Sequence, residues 1–99
     1  MRSSEEQELG MLLFAPTNEF NRDMRRLARR HLDIDLLQAV LDLLLDEQPL
    51  PDARHDHALS GPYRGLRECH VAPDWLLTYF VDAGRLIAVR TGTHSDLFG

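Results

Sequence analysis

The run Trp75-Leu76-Leu77-Thr78-Tyr79-Phe80-Val81 limits the possible folds of this chain more than any other segment. It is almost continuously apolar and rich in aromatic residues, so it reads as a strand buried on both faces. Asp82-Ala83-Gly84 follows as a hairpin turn, and Arg85 to Thr91 as the returning strand. Leu66 to Val71 supplies a third strand just upstream.

The N-terminal half reads differently. Residues 1–10 are polar, carry three glutamates and end in Gly10, so they are expected to be a flexible tail. Met11 to Ala15 reads as a strand, and Met11 is the expected natural start of the protein. Pro16-Thr17-Asn18 ends that strand and offers a helix cap. Phe20, Met24, Leu27, Ala28 and His31 then share one helical face, with Arg22, Arg25, Arg26, Arg29 and Arg30 largely off it. A second helix, capped by Asp33 or Asp35, places Leu37, Val40, Leu41 and Leu44 at i, i+3, i+4 and i+7. Residues 48–65, with Pro49, Pro51, Gly61, Pro62 and Gly65, read as a loop. The element order is β-α-α-β-β-β. It predicts an α+β fold, a mainly antiparallel sheet packed against an N-terminal helix hairpin, in one domain spanning residues 11–99.

The 99 residues suffice for one domain with one core. Cys69 is the single cysteine, which excludes a disulfide within the chain and suits a reducing, cytoplasmic setting. It reads as a core residue. No apolar run approaches the ~18 residues of a membrane helix. The net charge is -5, an unusual balance for a nucleic-acid binder. Charge is uneven, however. Arg22, Arg25, Arg26 and Arg29 form a local basic strip that could face an RNA backbone. Asp42, Asp46, Glu47, Asp52 and Asp56 make the next stretch acidic.

Five histidines stand in this short chain: His31, His55, His57, His70 and His94. His31 ends the first helix, where a cation suits the dipole, and is read as structural. His70 lies near a strand end, Asp74 and Trp75 open the next strand, and His94 follows the last, so these can converge at one sheet edge. His57 lies on a loop that could close over them. An imidazole pKa of ~6.5 lets such a group act as base or acid near neutrality. Transesterification of RNA by its own 2′-hydroxyl needs one of each, and positive charge on the phosphate, which Arg90 could supply. Trp75 or Phe98 could stack on a base. The same histidines with Asp74 are also a conceivable zinc set, although no compact metal-binding spacing is present.

The segment Leu59 to Phe98 resembles the YafQ branch of the RelE/ParE toxin superfamily. The resemblance rests on His57 before Leu59 and Gly61, then Tyr63, Gly65 and Arg67, then His70, Pro73, Asp74 and Trp75. It closes on Arg90, Thr91, Gly92, Thr93, His94, Leu97 and Phe98. With the helices, which match in kind, it covers about residues 11–99. It implies a RelE-like fold and a toxin of a type II toxin–antitoxin pair that cuts messenger RNA on the ribosome. Cleavage would need no metal or cofactor and would leave a 2′,3′-cyclic phosphate and a 5′-hydroxyl. The implied acid–base set is His57, His70, Asp74 and His94, with His94 as general acid and the base open among the others. Arg90 would steady the phosphate, and Trp75 and Phe98 would place the substrate. His31 and His55 fall outside the set. The implied partners are a cognate antitoxin, mRNA and the ribosome. Two rival readings are a ParE-like toxin that inhibits a topoisomerase without cutting RNA, and a decayed toxin that only binds its antitoxin. The acidity departs from the family's usual basic character.

Overall fold

The computed structural model describes residues 11–99. The expected tail, residues 1–10, lies outside the described residues, as does any test of Met11 as the natural start. The elements are β1 (Leu13–Pro16), α1 (Asn18–Arg29), α2 (Ile34–Leu45), β2 (His57–Ala58), β3 (Arg67–Ala72), β4 (Trp75–Asp82), β5 (Arg85–Gly92) and α3 (His94–Phe98). The α+β reading and the helix hairpin hold. Three details of the sequence reading change. The loop before β3 contributes the two-residue strand β2 and two 3-10 turns, Asp52–Arg54 and Gly61–Tyr63. The C-terminal tail ends in a short helix, α3. The last change is in β1, which joins the sheet parallel to β5 while all other pairs are antiparallel, in the order β1-β5-β4-β3-β2.

Local chemistry accounts for the boundaries. Thr17 caps α1 by accepting the Phe20 N–H at 3.0 Å. Asp33 caps α2 by accepting the Asp35 N–H at 3.0 Å. The β4–β5 hairpin turns at Ala83 and Gly84, both in the left-handed region, as a tight hairpin of this hand requires. Leu37, Val40, Leu41 and Leu44 of α2 are buried against Cys69, Val71, Leu77, Tyr79, Leu86 and Ala88 of the sheet. The stripe expected on α1 is only partly correct. Phe20 and Leu27 are buried, but Ala28 and His31 are exposed, and Asp23 is buried in their place.

The register divides the sheet into two faces. Cys69, Leu77, Tyr79 and Ala88 lie on the helix face. Their neighbours alternate to the other side, which carries Glu68, His70, Leu76, Thr78 and Arg90. Two bulges shape this second face, one between His70 and Ala72 and one where Thr78 and Tyr79 oppose Arg90 and Ala88. The second leaves Val89 without a partner and re-aims Arg90, a common use of bulges beside functional sites.

Candidate active site

His70 stands on β3 opposite Leu76, facing away from the helices. Its ring meets two others edge-to-face, His55 at 5.3 Å and His94 at 6.0 Å between centroids. Three histidines from a loop, a strand and the start of α3 thus form one row. His55, which the sequence leaves outside the set, has its ring against His70. Its backbone sits in the left-handed region just after the Asp52–Arg54 turn, which swings the ring over His70. His55, His70, Ala53, Arg54, Ala72 and Pro73 line a cleft of about 440 Å³.

His94 is held by Asp74, which sits in the turn between β3 and β4. The ring Nδ1 lies 2.9 Å from Asp74 Oδ1, and the His94 backbone N–H donates to the same oxygen at 3.2 Å. The hydrogen bond from the His94 ring, followed by that from its backbone N–H, holds the Asp74 carboxyl below the usual aspartate range. α3 is fixed by a capping box in which Thr93 and Asp96 each accept the other's backbone N–H. Arg30 then clamps Asp96 with two bonds of 2.8 and 3.1 Å, tying α3 to the end of α1.

His57 reaches the same face by another route. It pairs with Glu68 across β2 and β3, and its Nε2 lies 3.8 Å from Glu68 Oε1. Its Nδ1 is 2.7 Å from the His55 carbonyl oxygen. A carbonyl only accepts, so Nδ1 carries the proton and Nε2 is free to accept one. Glu68 is 6% exposed, and its Oε2 has no hydrogen-bond partner among the described residues.

Arg90 is oriented by a buried carboxylate that the sequence reading overlooked. Asp23 Oδ2 accepts Arg90 Nε–H at 2.7 Å and the Thr91 N–H at 3.0 Å, and Oδ1 accepts Arg90 Nη2–H at 3.1 Å. Asp23 raises the Arg90 pKa further, chiefly through these hydrogen bonds. Among the described residues, Arg90 Nη1 makes no hydrogen bond and its nearest carboxylate partner is Glu19 at 3.9 Å, so its hydrogens are available to an anion. Arg26 was expected on an RNA-facing strip, but it donates to Asp23 at 2.9 Å and lies 3.9 Å from Asp96. It belongs to this internal network. Arg22, Arg25 and Arg29 are exposed on α1.

The two aromatic candidates separate. Trp75 is 4% exposed and buried in the core, where its Nε1–H donates to Thr91 Oγ1 at 2.9 Å. It has no free face for a base, so the expectation that it stacks on substrate is corrected. Phe98 is exposed and meets Tyr63 edge-to-face at 5.3 Å. With Leu66, Thr78, Arg90 and Leu97 these two rings line a cleft of about 200 Å³. Cys69 is fully buried, and burial pushes its thiol up to about 12, so it is no nucleophile. Among the described residues no cluster of three or more His, Cys, Asp or Glu has metal-binding geometry.

Residues 12–99 match the family described as bacterial toxin of type II toxin-antitoxin system, YafQ. The chain belongs to the YafQ toxin family. It is 38% identical to mRNA interferase toxin YafQ of Escherichia coli K12 over 84 residues, covering 84% of this chain and 91% of that protein. Its fold superposes on the Escherichia coli DinJ-YafQ toxin-antitoxin complex with a TM-score of 0.82 at 36% identity, covering 90% of this chain and 99% of that chain. A copper-bound mutant toxin from Helicobacter pylori gives a TM-score of 0.86 at 38% identity, covering 89% of this chain and 100% of that chain. No helix among the described residues is long and apolar enough to cross a membrane.

Proposed function

We propose that this YafQ-family toxin is an endoribonuclease that cuts messenger RNA on the ribosome by histidine acid–base chemistry, and that a cognate antitoxin restrains it. The observation that carries the reading is the Asp74–His94 pair at 2.9 Å, aligned with His70 and His55 on the open sheet face. The names of its relatives support the substrate and the partner.

In this reading His57 is the base. Its Nε2 removes the 2′-hydroxyl proton, the 2′-oxygen forms a bond to phosphorus, and the bond to the 5′-oxygen breaks. His94, its Nδ1–H held by Asp74, delivers a proton from Nε2 to the departing 5′-oxygen. The products are a 2′,3′-cyclic phosphate and a 5′-hydroxyl. Arg90 offers its Nη1 hydrogens to the phosphate, while Asp23 holds the rest of the fork. His70, touching both His55 and His94, adds positive charge or orientation between base and acid. Phe98, with Tyr63, takes the stacking role, worth about 1–3 kcal/mol per base. Arg22, Arg25 and Arg29, exposed on α1, are the candidates for the RNA backbone.

The test is expression of the chain and of its His94→Ala variant, following growth and mRNA integrity, with a matched assay on translating ribosomes with and without chelator. Cleavage that survives chelator and disappears in the variant is the expected result. Intact mRNA with arrested DNA supercoiling would replace this reading with topoisomerase inhibition. Unaffected growth with the native chain would leave only antitoxin binding.

A further inference from the structure

β2 carries His57 to the open face but consists of only two residues, His57 opposite Glu68 and Ala58 opposite Arg67. So short an edge strand specifies its own register weakly. A slip of one residue would turn His57 to the helix face. Something beyond the β2 ladder must hold it.

Asp56 immediately precedes β2, so alternation sends its side chain to the face opposite His57. Tyr79 and Arg67, themselves paired across β3 and β4, point to that face. The Tyr79 hydroxyl donates to Asp56 Oδ1 at 2.6 Å, and Arg67 Nε–H donates to the same oxygen at 3.3 Å. Tyr79 is 3% exposed and packed in the core, so it is a rigid anchor. A second tie lies upstream, where Arg54 donates to the Val71 carbonyl at 2.6 Å. His55, in the left-handed region, is held between the two ties.

We propose that Asp56 is a positioning residue: its bond to the Tyr79 hydroxyl sets the register of β2 and presents His55 and His57 together to the open face. The His57 Nδ1–H bond to the His55 carbonyl depends on that register, and with it the availability of Nε2. The catalytic part of the proposal rests on the reading of His57 as the base.

The experiment compares the full chain with Asp56→Ala, Asp56→Asn and Tyr79→Phe. Each is assayed for RNA cleavage on translating ribosomes and for the ¹⁵N signals of the His57 ring. Asparagine keeps an oxygen for the Tyr79 hydroxyl; alanine does not. Misplacing a reacting group by about 1 Å costs on the order of 100-fold. Asp56→Ala is expected to lower kcat about 10- to 100-fold with little change in KM and to lose the Nδ1–H signature of His57. Asp56→Asn is expected to recover most of both. Tyr79→Phe should follow Asp56→Ala; if it does not fold, the two Asp56 variants decide. Native cleavage with an unchanged His57 signature in Asp56→Ala would overturn the proposal, as would equal loss in the alanine and asparagine variants. If the native chain itself leaves RNA intact, the base assignment falls, while the ring signals still decide whether Asp56 sets the register.

Discussion

Asp74 Oδ1 accepts both the ring Nδ1–H of His94, at 2.9 Å, and its backbone N–H, at 3.2 Å. One oxygen thereby fixes both the position of His94 in the chain and the orientation of its ring. Asp74→Asn keeps the shape and removes the charge, so cleavage should fall about 10- to 100-fold while the fold persists. The carboxyl itself gives an independent reading. Because His94 holds it low, Asp74 should titrate below an ordinary aspartate in the native chain. In His94→Ala, which removes the larger of the two causes, it should rise toward the ordinary aspartate range, measured by carboxyl ¹³C NMR.

Asp23 is 2% exposed and accepts hydrogen bonds from Arg90, Arg26 and the Thr91 N–H. Its removal strands these donors beside the core. Breaking a buried ion pair from one side costs about 3–5 kcal/mol, so Asp23→Ala should lower Tm by more than about 10 °C. Thermal melts of Asp23→Ala and Asp23→Asn would check this, with the asparagine expected to lose less. A melt unchanged in Asp23→Ala would contradict the role given to this network.

Gly92 ends β5 immediately before the α3 cap, and a Cβ there would lie 2.9 Å from both the Cβ and Oδ2 of Asp96. Asp96 is held by Thr93 and Arg30, so it has little room to yield. Gly92→Ala should therefore displace α3 and the His94 ring. Activity is expected to fall at least about 10-fold, and the ring signal of His94 to shift; native kinetics would refute the close approach.

The Arg30 hydrogen bond, with those from the Thr93 backbone and side chain, holds Asp96 well below the usual aspartate range. A carboxylate with a depressed folded pKa stabilises the fold fully above its unfolded value, near about 3.9, and loses that contribution as pH falls toward the folded value. Native protein should therefore melt higher than Asp96→Asn at pH 7, and the gap should begin to narrow below about pH 4 and keep narrowing as pH falls toward the folded value. A gap independent of pH would show that charge is not its source.

Much of the candidate site is legible in the sequence. His57, His70 and Arg90 reach the open face because a strand alternates its side chains, and the segment Leu59 to Phe98 sets Asp74 in the turn before β4 and His94 and Phe98 in α3 beside them. Asp23 and His55 were not legible. Asp23 read as one acid among the arginines of α1, since a helical stripe counts apolar residues and gives no weight to a carboxylate buried by its partners. His55 read as a loop residue because only the left-handed turn after Arg54 places its ring over His70. Trp75 failed in the other direction. Its position at a strand start suits either core or surface, and the register of β4 against β3 and β5 puts it in the core.

Sequence alone determined the two long helices, four of the five strands, the hairpin turn, the α+β class and the types of chemical group available. These follow from local periodicity, capping and turn chemistry, which act over a few residues. Tertiary structure decided which groups share a proton or an ion pair. Asp23 and Arg90 are 67 residues apart, and Arg30 and Asp96 are 66 apart. No local pattern encodes such pairs, because they exist only once strand register and helix docking have brought the two ends of the chain together.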